Sequence, residues 1–391
     1  MTGRPTMKTV PFLLCLVCLI QPGSTAETPT PKPKPVYQYH TEGIAISIPT
    51  ADEAKVAAFG TASIQAAVRY LDEGAICWVR ERSCINCHTT GPYLAERPAL
   101  TKYFGSPKEE VRDDFVDSIP RPSPADDSEK AKKRVGASTS VWCALGLAEW
   151  DKHVTGSLSE PTDRALREMM TRQSAAGSFV STGEVEIPHI TTDFELTLQA
   201  ARAITTAPGW LDKADPELRK GIDRMKIFLR DAPPRNDYER VLRLQLASLI
   251  PELVPQTERA HALALLTGKQ HSDGGWSLRD LSAVDNWRTP MSERVLDLIK
   301  SLPDAAAPES DPYMTALAIV LMRENGIPAN DERIRRGIEW LKREQRVSGR
   351  WWMHSLYRGN YQYITYIATT QALKALALCG ELESGESGVQ R

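Results

Sequence analysis

Three segments of this chain end in the same way. Gln345 is followed by Gly349 and Trp351, Gln270 by Gly274 and Trp276, and Gln173 by Gly177 and Phe179. A Gln-x3-Gly-x-aromatic turn therefore recurs behind three helix-like stretches. Such a repeat constrains a fold strongly, because each copy marks one supersecondary unit that buries its apolar face only against its neighbours. Each position has a physical task. The helix stops at the Gln, whose amide can bond backbone ends of the neighbouring hairpin; the Gly permits a tight turn; the aromatic ring packs between adjacent hairpins.

Hydrophobic periodicity extends the pattern over the whole chain. Outer helices are expected at 64–82, 107–118, 162–173, 216–230, 256–270 and 331–345, several opened by capping signals: Ser106-Pro107-Lys108-Glu109, Asp215-Pro216 and Asn330. Inner helices, richer in apolar and small residues, are expected at 93–104, 138–150, 191–204, 236–250, 311–324 and 362–379. Six of each give an all-α, single-domain (α/α)6 barrel over 57–380. On its turns the chain resembles the squalene-hopene cyclase and prenyltransferase family, whose QW motif has this form, from about Phe59 to Cys379. The resemblance implies an α/α toroid. It does not carry over the family's chemistry: no Asp-x-Asp-Asp run stands on an inner helix, Asp113-Asp114 belongs to an outer one, and Thr191-Thr192-Asp193-Phe194-Glu195 is a partial echo. The cyclases use two helical domains where this chain has length for one, and no prenyltransferase-type zinc triad is identifiable. Polyene cyclisation is not expected.

Cys84-Ile85-Asn86-Cys87-His88 is a CxxCH pentapeptide, the attachment signal of c-type haem. Two thiols add across the two vinyl groups of one porphyrin, and the adjacent imidazole serves as axial iron ligand. A half zinc site would want a second Cys or His pair, and a thioredoxin-like dithiol a βαβ pattern; neither is present. The expectation is one covalent haem c on Cys84, Cys87 and His88. Trp78 to Ser83 align with Trp340 to Gln345, so the motif stands where a Gln-x3-Gly turn would be, at one rim of the barrel. Other rim loops hold the candidate sixth ligands His354, His189, His271 and Met353. His40, His153 and His261 fall outside those loops. An aromatic run of Trp351, Trp352, Tyr357, Tyr361, Tyr363 and Tyr366 is expected to pack the last turn or line a ligand pocket.

Residues 1–26 have Arg4 and Lys8, an apolar run and Ser24-Thr25-Ala26, the pattern of a secretory signal peptide. An exported, periplasmic or extracellular chain follows, with no permanent membrane span, a Pro/Lys-rich tether and lead-in at 27–56, and a disordered tail at 381–391. Of the seven cysteines, Cys15 and Cys18 lie in the apolar run, while Cys143 and Cys379 read as small hydrophobes. The 48 basic and 50 acidic residues are evenly spread, which leaves no basic field for nucleic acid. The reading from sequence is an exported c-type haem protein for electron transfer, partnered by an electron-transfer protein or a small-molecule donor or acceptor. The alternatives are a haem oxidoreductase acting on an apolar molecule in the barrel, and a haem-free binding scaffold with a Cys84–Cys87 disulfide.

Overall fold

A computed structural model describes residues 36–82, 84–120, 136–180, 192–287, 293–354 and 363–383. The expected signal peptide, all but the last residue of the Pro/Lys run, Ser83, His189, Tyr357, Tyr361 and the tail past 383 lie outside the described residues.

Among the described residues twelve of the helices alternate between two layers. The outer ones are α1 (Thr61–Arg82), α3 (Glu109–Ser118), α5 (Glu160–Thr171), α7 (Pro216–Asp231), α9 (Gln256–Gly268) and α11 (Glu332–Glu344); the inner ones are α2 (Thr90–Glu96), α4 (Ala137–Trp150), α6 (Asp193–Thr206), α8 (Asp237–Leu249), α10 (Pro312–Glu324) and α12 (Tyr363–Leu378). Composition sets the layers. In α11 the buried residues Ile334, Gly337, Ile338, Trp340 and Leu341 recur at helical spacing on one face, whereas α4 buries all but two of its residues. Each inner helix packs on the next, α2 on α4, then α6, α8, α10 and α12, and α12 returns to α2. The ring is closed, and the expected (α/α)6 toroid is present.

The recurrent turn does what its residue types allow. Gln173 Nε2 donates to Gly177 O (3.0 Å) and to Gly221 O (2.9 Å) on α7. Gln270 Nε2 donates to Gly274 O (2.8 Å) and Arg333 O (2.9 Å) on α11, and Gln345 Nε2 to Gly349 O (3.0 Å) and Ser63 O (2.9 Å) on α1. Each amide thus ties its own turn to the next outer helix, and the last one closes the ring onto the first. The aromatic residue is pinned as well: the amides of Phe179, Trp276 and Trp351 donate to Thr197, Thr315 and Thr369 Oγ1, hydroxyls on the following inner helix. Replacing Gln345 by Ala removes both seam bonds at a site of no exposure. The expected loss is about 1–3 kcal/mol, read from the denaturation midpoint; no loss would mean that aromatic packing alone holds the seam.

Local expectations need correction in three places. The first inner helix was expected to run to 104, but it ends at Glu96, because Pro98 lacks the N–H that continuation needs; a short 3-10 turn, Pro98–Leu100, follows. Ser106 caps nothing: α3 starts at Glu109, and its N-cap position, Lys108, makes no side-chain cap bond. Asp215 caps α7 as expected, while α11 is capped by Asp331 rather than Asn330. The lead-in carries a hairpin, β1 (Tyr37–Thr41) paired antiparallel with β2 (Ile44–Ser47). Its Tyr39 is buried beside Tyr366, ring centroids 5.8 Å apart, and bonds Thr89 Oγ1 at 2.9 Å. Alternation of Tyr39, Thr41, Ile44 and Ile46 was the available signal for it.

Candidate functional site: the barrel centre

The first turns of the inner helices converge at the rim where the outer helices turn inward, and their last turns converge at the opposite end. Both ends place polar side chains on a central cavity that is partly open to solvent.

At the far end stands an ion cluster. Glu96 is the last residue of α2, Glu149 lies near the end of α4, Arg202 in the last turn of α6, Glu324 at the end of α10 and Lys374 late in α12. Arg202 Nη1 reaches Glu96 Oε1 (2.5 Å), its Nη2 reaches Glu149 Oε1 (2.7 Å) and Ala95 O (2.7 Å), and Lys374 Nζ lies 3.3 Å from both Glu96 and Glu324. Carboxylates at helix C-termini oppose the helix dipole, so the cations compensate two costs at once. Burial alone would raise the Glu149 carboxyl, but Arg202 and His153 outweigh it and hold it at about 2. Glu96 is likewise held below the usual range, burial being overcome by Arg202 and Lys374.

At the near end Glu195 sits in the first turn of α6, whose cap Thr192 accepts from the Glu195 amide at 3.1 Å. Tyr238 of α8 donates its hydroxyl to Glu195 Oε1 at 2.6 Å, and Tyr313 of α10 lies 2.9 Å from the Tyr238 oxygen. All three residues are buried and line the cavity. Burial, and after it the Glu195 charge, keeps both phenols well above their ordinary value, so they remain hydrogen-bond donors. Sequence reasoning passed over this group, although Asp193-Phe194-Glu195 had been noted as a partial echo of an acidic motif; what it lacked was the knowledge that Tyr238 and Tyr313 face the same space.

The CxxCH segment is a tight helix-entry turn. Asn86 Oδ1 accepts from the amides of His88 (2.9 Å) and Thr89 (2.5 Å), and a side chain at Gly91 would come within 2.3 Å of Asn86 O. His88 is stacked on Tyr363 with centroids 4.1 Å apart, meets Trp78 edge-on at 4.7 Å and bonds Thr89 Oγ1 at 3.0 Å; burial drives its pKa down to about 3. Both cysteines are free thiols, Cys84 exposed and Cys87 on the wall of the central cavity. A porphyrin bonded to both requires them on one open space, and here they face two. The haem c expected on Cys84, Cys87 and His88 does not fit this arrangement. Nor do the candidate sixth ligands gather near His88: His271 is held by Asp280 and Ser310, Met353 and His354 line a separate rim pocket, and His189 is outside the described residues. Of the aromatic run, Trp351 packs in its turn, Trp352 lines that rim pocket, and Tyr363 and Tyr366 join Tyr39 and Tyr70. Burial pushes the Cys87 thiol up to about 12. In the folded protein at neutral pH iodoacetamide should therefore label Cys84 and spare Cys87, as read by peptide mass spectrometry; equal labelling would contradict the placement of Cys87.

No known family model matches the sequence, and no curated protein matches it. Similar solved structures include ent-copalyl diphosphate synthase from Streptomyces platensis (13% identity, TM-score 0.46), covering 74% of this chain and 50% of that one. A glycosidase variant (10%, 0.45) covers 81% and 98%, and the type II terpene cyclase MstE from Scytonema (15%, 0.42) covers 80% and 96%. The chain thus spans half the length of the first of these. These neighbours are enzymes. The expectation of a haem protein for electron transfer is corrected: Cys84 is exposed while Cys87 lies on the wall of the central cavity, and among the described residues no group of three or more His, Cys, Asp or Glu is placed to hold a metal ion. The scaffold alternative is corrected as well, since Cys84 and Cys87 are free thiols rather than a disulfide. No helix among the described residues is long and apolar enough to cross a membrane.

Proposed function

We propose that the chain is an enzyme of acid–base chemistry whose substrate lies in the central cavity and gains positive charge on the way to the transition state. The observation that carries this reading is the buried row Tyr313, Tyr238, Glu195 on the cavity wall, with Tyr238 donating to Glu195 at 2.6 Å. A carboxyl group fixed by a phenol can give a proton to a substrate, or take one, without reorganising. The surroundings favour a cation. Glu96, Glu149 and Glu324 outnumber Arg202 and Lys374 at the far end, and the rings of Trp142, Tyr238 and Tyr313 line the cavity. In this reading Glu195 moves the proton, Tyr238 orients it and the aromatic faces stabilise the charge that develops.

A protonated tertiary amine with short alkyl arms mimics such a cation. It should raise the melting temperature and bind by calorimetry more tightly than its neutral carbon isostere, and Glu195→Gln should weaken it about tenfold. Equal binding of amine and isostere, or an unchanged affinity in the Gln variant, would refute the reading.

A further inference from the structure

Glu195, Gln199 and Arg202 follow one another at intervals of four and three residues along α6, and Tyr238, Leu242 and Gln245 do the same on the adjacent α8, so each helix turns these three side chains to the central cavity. The wall is graded along the barrel axis. The acid–phenol row stands at the first turns, Leu242, Leu317 and Ile367 form an apolar belt about one turn further on, and the ion cluster closes the far end. At about 1.5 Å per residue, α10 carries this wall roughly 16 Å from Tyr313 to Glu324.

Three amides interrupt the gradient. Gln199 of α6, Gln245 of α8 and Gln371 of α12 are half-buried side chains on the cavity wall. Among the described residues no protein group bonds the carboxamide of Gln199 or Gln245, and neither amide is sealed from the open space; of Gln371 only the oxygen is sealed. The charged groups on the same wall are engaged. Arg202 pairs with Glu96 and Glu149, Lys374 lies 3.3 Å from both Glu96 and Glu324, and Glu195 accepts from Tyr238.

This division selects the head group of a ligand. A carboxylate or phosphate head would add charge of the sign already in excess at the far end, and an ammonium head would find no free carboxylate there, having to compete with Lys374 for Glu96 and Glu324. A carboxamide both gives and accepts hydrogen bonds, and its natural partner is an uncharged group that does the same. Such a head can pair with Gln199 and Gln245 and disturb no ion pair. We propose that the ligand of the central cavity is an uncharged amphiphile: its head, a carboxamide or a hydroxyl, is held by Gln199, Gln245 and Gln371, and its apolar body runs along the belt toward Glu195. The inference rests on the reading that the substrate lies in this cavity.

The test is calorimetric titration of the full chain with octanamide, 1-octanol, octanoate and octylamine, which share a chain length and differ in the head. The better of the two neutral probes is expected to bind at least about fivefold more tightly than either charged one, and its identity tells a carboxamide head from a hydroxyl. The comparison with octylamine is made in the Glu195→Gln chain, where the carboxyl invoked for acid–base chemistry cannot draw the ammonium. Gln199→Leu and Gln245→Leu should each weaken the neutral ligand about fivefold or more while melting curves confirm folding. Tighter binding of octanoate or octylamine, no binding of either neutral probe, or neutral binding indifferent to both Leu variants would overturn the proposal. The tertiary amine and its isostere, titrated beside these probes, judge the acid–base reading separately: that reading stands if the amine is preferred and depends on Glu195, even where the neutral probes fail.

Discussion

Arg202→Met should lower the unfolding free energy by about 3–5 kcal/mol at neutral pH, because it leaves Glu96 and Glu149 buried and ionised with their shared cation gone. Equilibrium urea unfolding followed by circular dichroism gives the value. The deficit should shrink in acid, and the sign follows from linkage. Arg202 and its partners hold Glu149 at about 2, below its ordinary 4.5, so the unfolded chain takes up the proton first as pH falls. The stabilisation is complete above about 4.5 and is lost between there and about 2, while the Met variant, whose carboxylates have lost that support, gains from protonation. A deficit below about 1 kcal/mol, or one equal at pH 7 and pH 4, would show that the cluster is hydrated rather than buried. The exposed pair of Arg80 with Glu110, although 2.7 Å apart, is the control: breaking it should change stability little.

The second large effect is expected at Gly349. Its φ is +88°, and an added Cβ would lie 2.2 Å from Ala67 N and 2.4 Å from Ala66 C, both backbone atoms of α1. Gly349→Ala must therefore push the last turn away from the first outer helix and open the seam that closes the ring. A loss of about 4 kcal/mol or more is expected from thermal or chemical denaturation. Gly380 separates this cause from backbone strain alone: its φ is +76°, but nothing lies within 4 Å of the site of its Cβ, so Ala there should cost only about 1–2 kcal/mol. Similar losses at the two positions would mean that contact with α1 contributes nothing. Gly177 and Gly274 stand in the same relation to α7 and α11, with their added Cβ 2.3 Å from Arg224 O and 2.7 Å from Arg336 O.

The helical layers were legible in the chain because amphipathic spacing and the Gln-x3-Gly-x-aromatic turn are local patterns. The partners of those turns were only half legible. That Gln345 would reach a neighbouring hairpin followed from its position at a helix end; that the neighbour is α1 follows from ring closure across more than 280 residues. Thr197, Thr315 and Thr369 each accept from a turn amide, and a buried Thr at the corresponding place of three inner helices was the signal that went unread.

The CxxCH pentapeptide marks what motif spacing leaves open. Spacing alone places two thiols and an imidazole within reach of one porphyrin, but spacing says nothing about which way each side chain faces. In the folded chain Asn86 and Gly91 bend the segment so that Cys84 faces solvent, Cys87 the barrel and His88 the Tyr363 ring. The acidic echo around Glu195 was undervalued for the complementary reason, since its phenolic partners lie 43 and 118 positions away in the chain, on α8 and α10.

By itself the sequence determined the number of hairpins, which faces of their helices are apolar and where each turn falls, because periodicity and turn chemistry act over a few residues. Tertiary structure alone decided what the polar residues do. Glu96, Glu149, Arg202, Glu324 and Lys374 come from five inner helices, and only closure of the ring brings them into a common low-dielectric space where charge must be paired. The same closure aligns Tyr313, Tyr238 and Glu195, and sets Arg279 beside Asp304.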